Sequence, residues 1–178
     1  LYHDMGLFGA FLLPLLCGSP TVLIPTMDFL RDPALWLRAL HSYRGAVSWA
    51  SNFAYALCAQ RIEDDEIEGL DLSNWRIAFN ASEPVLAPTV EAFARRFAPY
   101  GYRPEAMTAA WGLAETVMVC SAHPVDEAPR VDRIDRRRLA AESVAEPTPG
   151  EGISLVATGQ ALPNVEIEIR EVETGVRL

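Results

Sequence analysis

Between residues 21 and 110, short β-branched or apolar runs alternate with apolar runs at helical spacing, and few architectures accept that order. Strands separated by helices predict a mostly parallel sheet with crossover helices on its faces. The strands are expected at residues 21–24 (Thr-Val-Leu-Ile), 46–49, 76–79 and 107–110. Helices are expected at residues 5–16, closed by Gly18 and Pro20, and at 33–43, opened by Pro33. Two more are expected at 52–62, capped by Asn52, and at the amphipathic stretch 88–97. Residues 63–68 are acidic and read as a solvated loop.

The pattern changes after Ser121. Residues 123–152 are rich in Pro, Glu and Arg, and only Val131, Ile134 and Leu139 offer a packing face. Residues 155–158 and 165–172 then read as strands, the second alternating through Val165, Ile167 and Ile169 before a Glu173-Thr174-Gly175 turn. The expected fold class is therefore α/β: a mostly parallel sheet with flanking helices, then an insertion, then the start of an antiparallel part. The corresponding divisions are 1–122, 123–152 and 153–178.

Composition narrows the function classes. The 178 residues carry a net charge of −9, and all fifteen basic residues are Arg. With no basic stripe to track phosphates, nucleic acid is not an expected partner. Cys17, Cys58 and Cys120 are widely spaced in apolar runs and show neither metal spacing nor a disulfide framework, which suggests a reducing, cytoplasmic setting. Residues 8–16 are strongly apolar but contain Pro14 and are too short to span a bilayer. The chain starts at Leu1 and ends just past a turn, so it is expected to be an internal piece of a longer one.

Four segments stand at predicted strand ends or helix starts, where open α/β sheets bind ligands. They are Leu1-Tyr2-His3-Asp4-Met5-Gly6, Ser48-Trp49-Ala50-Ser51-Asn52-Phe53-Ala54-Tyr55, Asn80-Ala81-Ser82-Glu83-Pro84 and Trp111-Gly112-Leu113-Ala114-Glu115-Thr116. Each alone is a weak signal. Read singly, Trp111 is a core aromatic, Glu115 a helix-start carboxylate, His3 a cap, and residues 80–84 a plain turn. In this order and spacing they resemble the adenylate-forming superfamily of acyl-CoA synthetases, luciferases and nonribosomal-peptide adenylation domains. Within it they are most similar to fatty acyl-AMP ligases, which commonly carry Leu-Tyr-His-Asp-Met-Gly, Pro-Asn-Phe-Ala-Tyr, Asn-Gly-Ala-Glu-Pro and Tyr-Gly-Leu-Ala-Glu. The resemblance covers essentially the whole chain.

The resemblance implies ATP and Mg²⁺ as cofactors, a fatty or other carboxylic acid as substrate and an acyl carrier protein as acceptor. It implies that Trp111 stacks on adenine, that Gly112, Leu113 and Ala114 flank it, and that Glu115 is the Mg²⁺ ligand and a catalytic residue. Ala81, Ser82 and Glu83 would meet the adenine edge, and His3 would sit catalytically beside the acyl carboxylate and phosphate. Met5, Trp49, Ala50, Ser51 and Phe53 would line the acyl site. Residues 124–150, with Val131-Asp132-Arg133 and a short helix at 136–141, match the insertion that sets these ligases apart from acyl-CoA synthetases.

Departures from the pattern are Trp49 and Ala50 where the family often has a Gly-Gly pair, Ala81 for Gly, and Trp111 for Tyr. A Trp side chain fills space that Gly leaves open, so the acyl tunnel is expected to be restricted. The phosphate loop, the ribose-binding Asp and the C-terminal catalytic Lys of the family have no counterpart here. The isolated chain is therefore expected not to form acyl-AMP. Two other readings compete: an acyl-CoA synthetase segment, and a degenerate, non-catalytic adenylation-like domain.

Overall fold

The computed structural model describes residues 3–177. Tyr2, named in the first motif, lies outside them. Three strands, β1 (Val47–Ala50), β2 (Ile77–Asn80) and β3 (Met107–Trp111), pair in parallel. Trp49 lies opposite Phe79, and Phe79 opposite Thr108. Two short strands, β4 (Ser121–Ala122) and β7 (Gln160–Ala161), extend the sheet antiparallel to β3 in the order β1-β2-β3-β4-β7. The α/β expectation with a parallel-rich sheet therefore holds.

Helix α4 (Asn52–Arg61) carries the chain from β1 to β2, and α5 (Ala87–Phe97) from β2 to β3. Together with α3 (Ala34–Ser42) they bury one side of the sheet around Trp75, which is 1% exposed. Its ring meets Trp36 at 5.2 Å, Tyr102 at 5.3 Å and Phe93 at 5.9 Å, all edge to face. A buried aromatic of this kind removes enough apolar area to contribute about 4–6 kcal/mol as an upper bound. The Tyr55 hydroxyl donates to the Phe79 carbonyl at 2.8 Å, tying α4 to β2.

The opposite side of the sheet meets the first helical segment. Residues Met5–Leu12 wind as a π-helix and continue as α1 (Leu13–Cys17). Helix α2 (Thr26–Arg31) follows and was not anticipated, because its start is set by the Pro25 carbonyl accepting from Asp28 and Phe29 rather than by a side-chain cap. The strand expected at residues 21–24 does not form. Ile24 packs on the core, but Val22 and Leu23 are each 49% exposed and no described strand lies beside them. β-branched composition supplies the propensity and not the partner.

Similarly, residues 165–172 form no strand despite their alternation. They make one isolated bridge, Arg170 to Arg177, and Val172 is 98% exposed. A second hairpin forms instead between β5 (Val131–Ile134) and β6 (Ile153–Val156), joining residues on both sides of position 152. Its far end carries α6 (Arg136–Glu142), capped by Asp135, whose carboxylate accepts from the Arg137 and Arg138 backbone at 2.7 and 3.1 Å. Of the three apolar positions in this stretch, Ile134 is buried, Leu139 half-buried and Val131 40% exposed. An ion pair from Arg76 to Asp126 at 2.8 Å anchors its beginning to the foot of β2.

Cys58 sits in the core, and burial pushes its thiol up from the ordinary 9.0 to about 12. Tyr55 and Tyr102 are raised by the same cause. Above pH 9 the unfolded thiol loses its proton while the folded one keeps it, so the folded state binds more protons and stability falls as pH rises. Urea unfolding between pH 8 and 11 should show this decline (pH values of about 8 and 11 bracketing the thiol range). Cys58→Ala should flatten the slope by about 1.4 kcal/mol per pH unit above the ordinary thiol pKa. An unchanged slope would mean that Cys58 ionises freely in the fold.

Candidate active site

Parallel pairing brings the C-terminal ends of β1, β2 and β3 to one edge, where they border a cleft of about 210 Å³. Its lining comes from five places in the chain. His3, Asp4 and Met5 open the π-helix; Trp49 ends β1; Ala81 and Ser82 follow β2; Trp111, Gly112, Leu113 and Ala114 end or follow β3; Met118 and Val119 cross over from the next loop. All four sequence motifs thus contribute to one cavity.

Two indoles line the cleft, and they are in different states. Trp111 is 47% exposed, and no aromatic ring among the described residues packs on it. Its face is available for a flat ligand. Trp49 is half-buried, and its ring lies parallel to Phe79 with centroids 3.9 Å apart and planes 4° off. It is a wall rather than a platform.

Gly112 is required by its surroundings. A Cβ built there would stand 1.8 Å from the Met118 carbonyl oxygen and 2.7 Å from the Val119 Cα. The chain reverses over its own strand end, where the Cys120 N–H donates to the Trp111 carbonyl at 2.9 Å. Val117 takes φ of 75° in this reversal, a strained conformation for a β-branched residue. Ser82, in the turn after β2, also has a positive φ of 72°, and its hydroxyl donates weakly to the Met5 sulfur at 3.4 Å. That contact joins the first and third motifs across the cleft.

At the cleft mouth, His3 Nδ1 lies 2.5 Å from an Asp4 carboxylate oxygen and 3.1 Å from the Met5 N–H. One nitrogen cannot serve both. Protonated, it donates to Asp4; unprotonated, it accepts from Met5. Its proton state therefore decides which partner orients the ring.

The remaining sequence candidates lie outside the lining. Glu115 is exposed in the single turn Ala114–Thr116, next to the lining residue Ala114. The Glu83 carboxylate accepts from the Phe53 N–H at 2.6 Å, so it caps the start of α4. Ser51 is the residue preceding α4, Phe53 is 51% exposed on that helix, and Ala50 packs against the core. Met118 and Val119 line the cleft, and Gly9 and Phe79 pack on the Trp49 ring; sequence reading missed all four. They carry no motif, and only the β3–β4 reversal and the cross-strand register place them.

The family model for the AMP-binding enzyme matches residues 1–178. The chain belongs to that family. A crystal structure of the fatty acyl-adenylate ligase from L. pneumophila, in complex with acyl adenylate and pyrophosphate, superposes with a TM-score of 0.90 at 31% identity, covering 96% of this chain and 30% of that one. The medium-chain-fatty-acid–[acyl-carrier-protein] ligase TtuA of Teredinibacter turnerae is 38% identical over 138 residues, which are 78% of this chain and 22% of TtuA. A Caulobacter vibrioides protein provisionally named an acyl-CoA synthetase is 34% identical over 174 residues, 96% of this chain and 30% of that protein. The chain thus spans less than a third of the length of these relatives. The resemblance to fatty acyl-AMP ligases stands on both sequence and fold.

The close approach at Gly112 gives a direct test of the cleft's construction. Gly112→Ala should cost about 1–3 kcal/mol by overpacking against backbone that cannot swing away. Urea denaturation measures the loss, and an unchanged midpoint would show that the reversal yields without cost.

Proposed function

We propose that this chain is the acyl- and adenylate-binding part of a longer ligase. That enzyme activates a fatty acid with ATP as acyl-AMP and passes the acyl group to an acyl carrier protein. The observation that carries the reading is the meeting of the four motifs around one cleft at the ends of three parallel strands. The names of TtuA and of the L. pneumophila enzyme, read with the coverage above, support the same reaction class.

The residues fit the proposed ligands. The exposed ring of Trp111 suits adenine, and Gly112 lets the Met118–Val119 reversal close against the end of β3 beside it. Ala81 and Ser82 would meet the adenine edge, while Trp49 and Met5 would border the acyl group. A fatty-acid carboxylate oxygen would attack the α-phosphorus as the bond to pyrophosphate breaks, and His3, which lines the cleft, would lie beside that charge. No Arg lines the cleft among the described residues.

Mg²⁺ commonly binds through one or two carboxylates together with substrate phosphates. Glu115, exposed beside the lining residue Ala114, would fit that role. The ion would offset phosphate charge. Cys58 and Cys120 are buried free thiols and Cys17 an exposed one, which suits a reducing compartment; among the described residues no helix is long and apolar enough to cross a membrane.

In the longer enzyme, Glu115→Ala should lower acyl-AMP formation by about a hundredfold or more while circular dichroism stays unchanged. Unaltered turnover with ATP and Mg²⁺ would place the metal elsewhere.

The acyl-CoA synthetase reading is kept in view by the C. vibrioides relative. The ordered β5–β6 hairpin with its buried Ile134 favours the AMP-ligase reading, because a packed insertion can restrict movement of a following domain. Replacing residues 124–150 by a short flexible linker should raise acyl-CoA relative to acyl-AMP, measured by mass spectrometry with coenzyme A present. An unchanged product ratio would put the two readings level.

A further inference from the structure

The indole of Trp49 is held on both faces, and one of the two holders is a glycine backbone. Phe79, its cross-strand neighbour, stacks on one face. On the other side lies Gly9 of the π-helix, itself buried. A Cβ built on Gly9 would stand 2.9 Å from both Cδ2 and Cε2 of Trp49 and 3.1 Å from the Met118 sulfur. Those two carbons are the fusion atoms of the indole, so equal approach to both is approach to the ring face rather than its rim. The ring cannot retreat toward the sheet, where Phe79 already lies in contact. It cannot retreat toward the helix, where only a missing side chain gives it room.

Resting on the ligase reading above, we infer that Gly9 is a positioning residue: it seats Trp49 flat as the end wall of the acyl site and so confines the enzyme to short or compact carboxylic acids. Three features carry this. Trp49 lines the cleft from β1, while Trp111, the proposed adenine platform, lines it from β3. Both its faces are occupied, so it is not itself a stacking surface for ligand. Met118, which closes on the same point from the reversal after β3, also lines the cleft. Helix, sheet and reversal therefore converge on one ring.

In an open tunnel each added methylene raises affinity by roughly fourfold. Against a fixed wall that gain stops once the chain reaches the ring. The test uses the longer enzyme and non-hydrolysable acylsulfamoyladenosines bearing acetyl, hexanoyl or palmitoyl groups, titrated by calorimetry. The wild type should gain affinity no further from hexanoyl to palmitoyl, and W49G should bind palmitoyl about tenfold tighter than the wild type does. Gly9→Ala normally favours a helix, but here it should tilt the ring into the cleft and weaken hexanoyl binding about tenfold. In the W49G background the same Gly9→Ala change should have no effect, because its collision partner is gone.

Labelling with 5-fluorotryptophan gives a readout that needs no ligand. The Trp49 ¹⁹F signal should shift in Gly9→Ala and stay in place in a control substitution at exposed Leu16. Palmitoyl binding that already continues the methylene gain in the wild type would overturn the inference. So would a Gly9→Ala effect of equal size with and without Trp49, or an unmoved ¹⁹F signal. Failure of every analogue to bind while the ¹⁹F signal shifts would instead overturn the ligase reading, and the chain-length assignment with it.

Discussion

The parallel, in-register pairing of β1, β2 and β3 is the constraint on which the rest depends. Parallel strands end on the same side, so whatever follows each one is delivered to one edge of the sheet. Trp49, the turn at Ala81 and Ser82, and the Trp111–Ala114 run are far apart in sequence and adjacent in space for that reason alone. The pairing is maintained from behind. Trp75, Tyr55, Phe93 and Tyr102 form a contiguous edge-to-face cluster under α4 and α5, the two crossovers that make the strands parallel. A register slip by one residue would exchange Ala78 and Phe79 between the core and the Trp49 side, which neither face could accommodate.

The sequence carried much of this layout, and the parts it did not carry share one cause. The alternation of apolar periods placed β1, α4, β2, α5 and β3 to within a residue or two, because each crossover must hide a stripe against the same sheet. The failures at residues 21–24 and 165–172 are runs whose local composition favours a strand while, apart from the single Arg170–Arg177 bridge, no described neighbour pairs with them. Propensity is a property of a segment; a ladder is a property of two. The β5–β6 hairpin is the converse case. Charged, Pro-rich residues gave it a weak signal, and pairing of Val131 with Val156 and Ile134 with Ile153 made it a structure.

The same distinction runs through the site. Residues named for motif membership divide into those that line the cleft and those that hold its frame. Glu83 belongs to the second group by geometry: its carboxylate takes the Phe53 N–H at the start of α4, so the turn after β2 and the helix after β1 are fixed to each other. Asn52 works in parallel, accepting from the Leu86 N–H at 3.0 Å and donating to Thr89 at 3.3 Å. Polar residues in a motif can thus be retained to tie one strand end to the next. Reading them as ligand contacts needs a lining position as well as a letter match.

The change of the sheet from parallel to antiparallel after β3 explains how the cleft acquires its far wall. The chain turns back at once, Cys120 bonds to Trp111, and the Met118 carbonyl is pressed against Gly112. The reversal spends strain at Val117 and leaves no room for any side chain at position 112. Such a construction bears on whether the unusual residues signal decay. The tight glycine belongs to the frame of the cleft, since a side chain at position 112 would collide with the Met118 carbonyl and raise the energy of the fold. Trp49, Ala81 and Trp111 instead alter side chains within an intact frame, and Trp49 is matched by a glycine at position 9 that its ring requires. On the ligase reading, these differences fall on the lining of the cleft and leave the contacts that build it in place, which favours a fitted site over a decayed one.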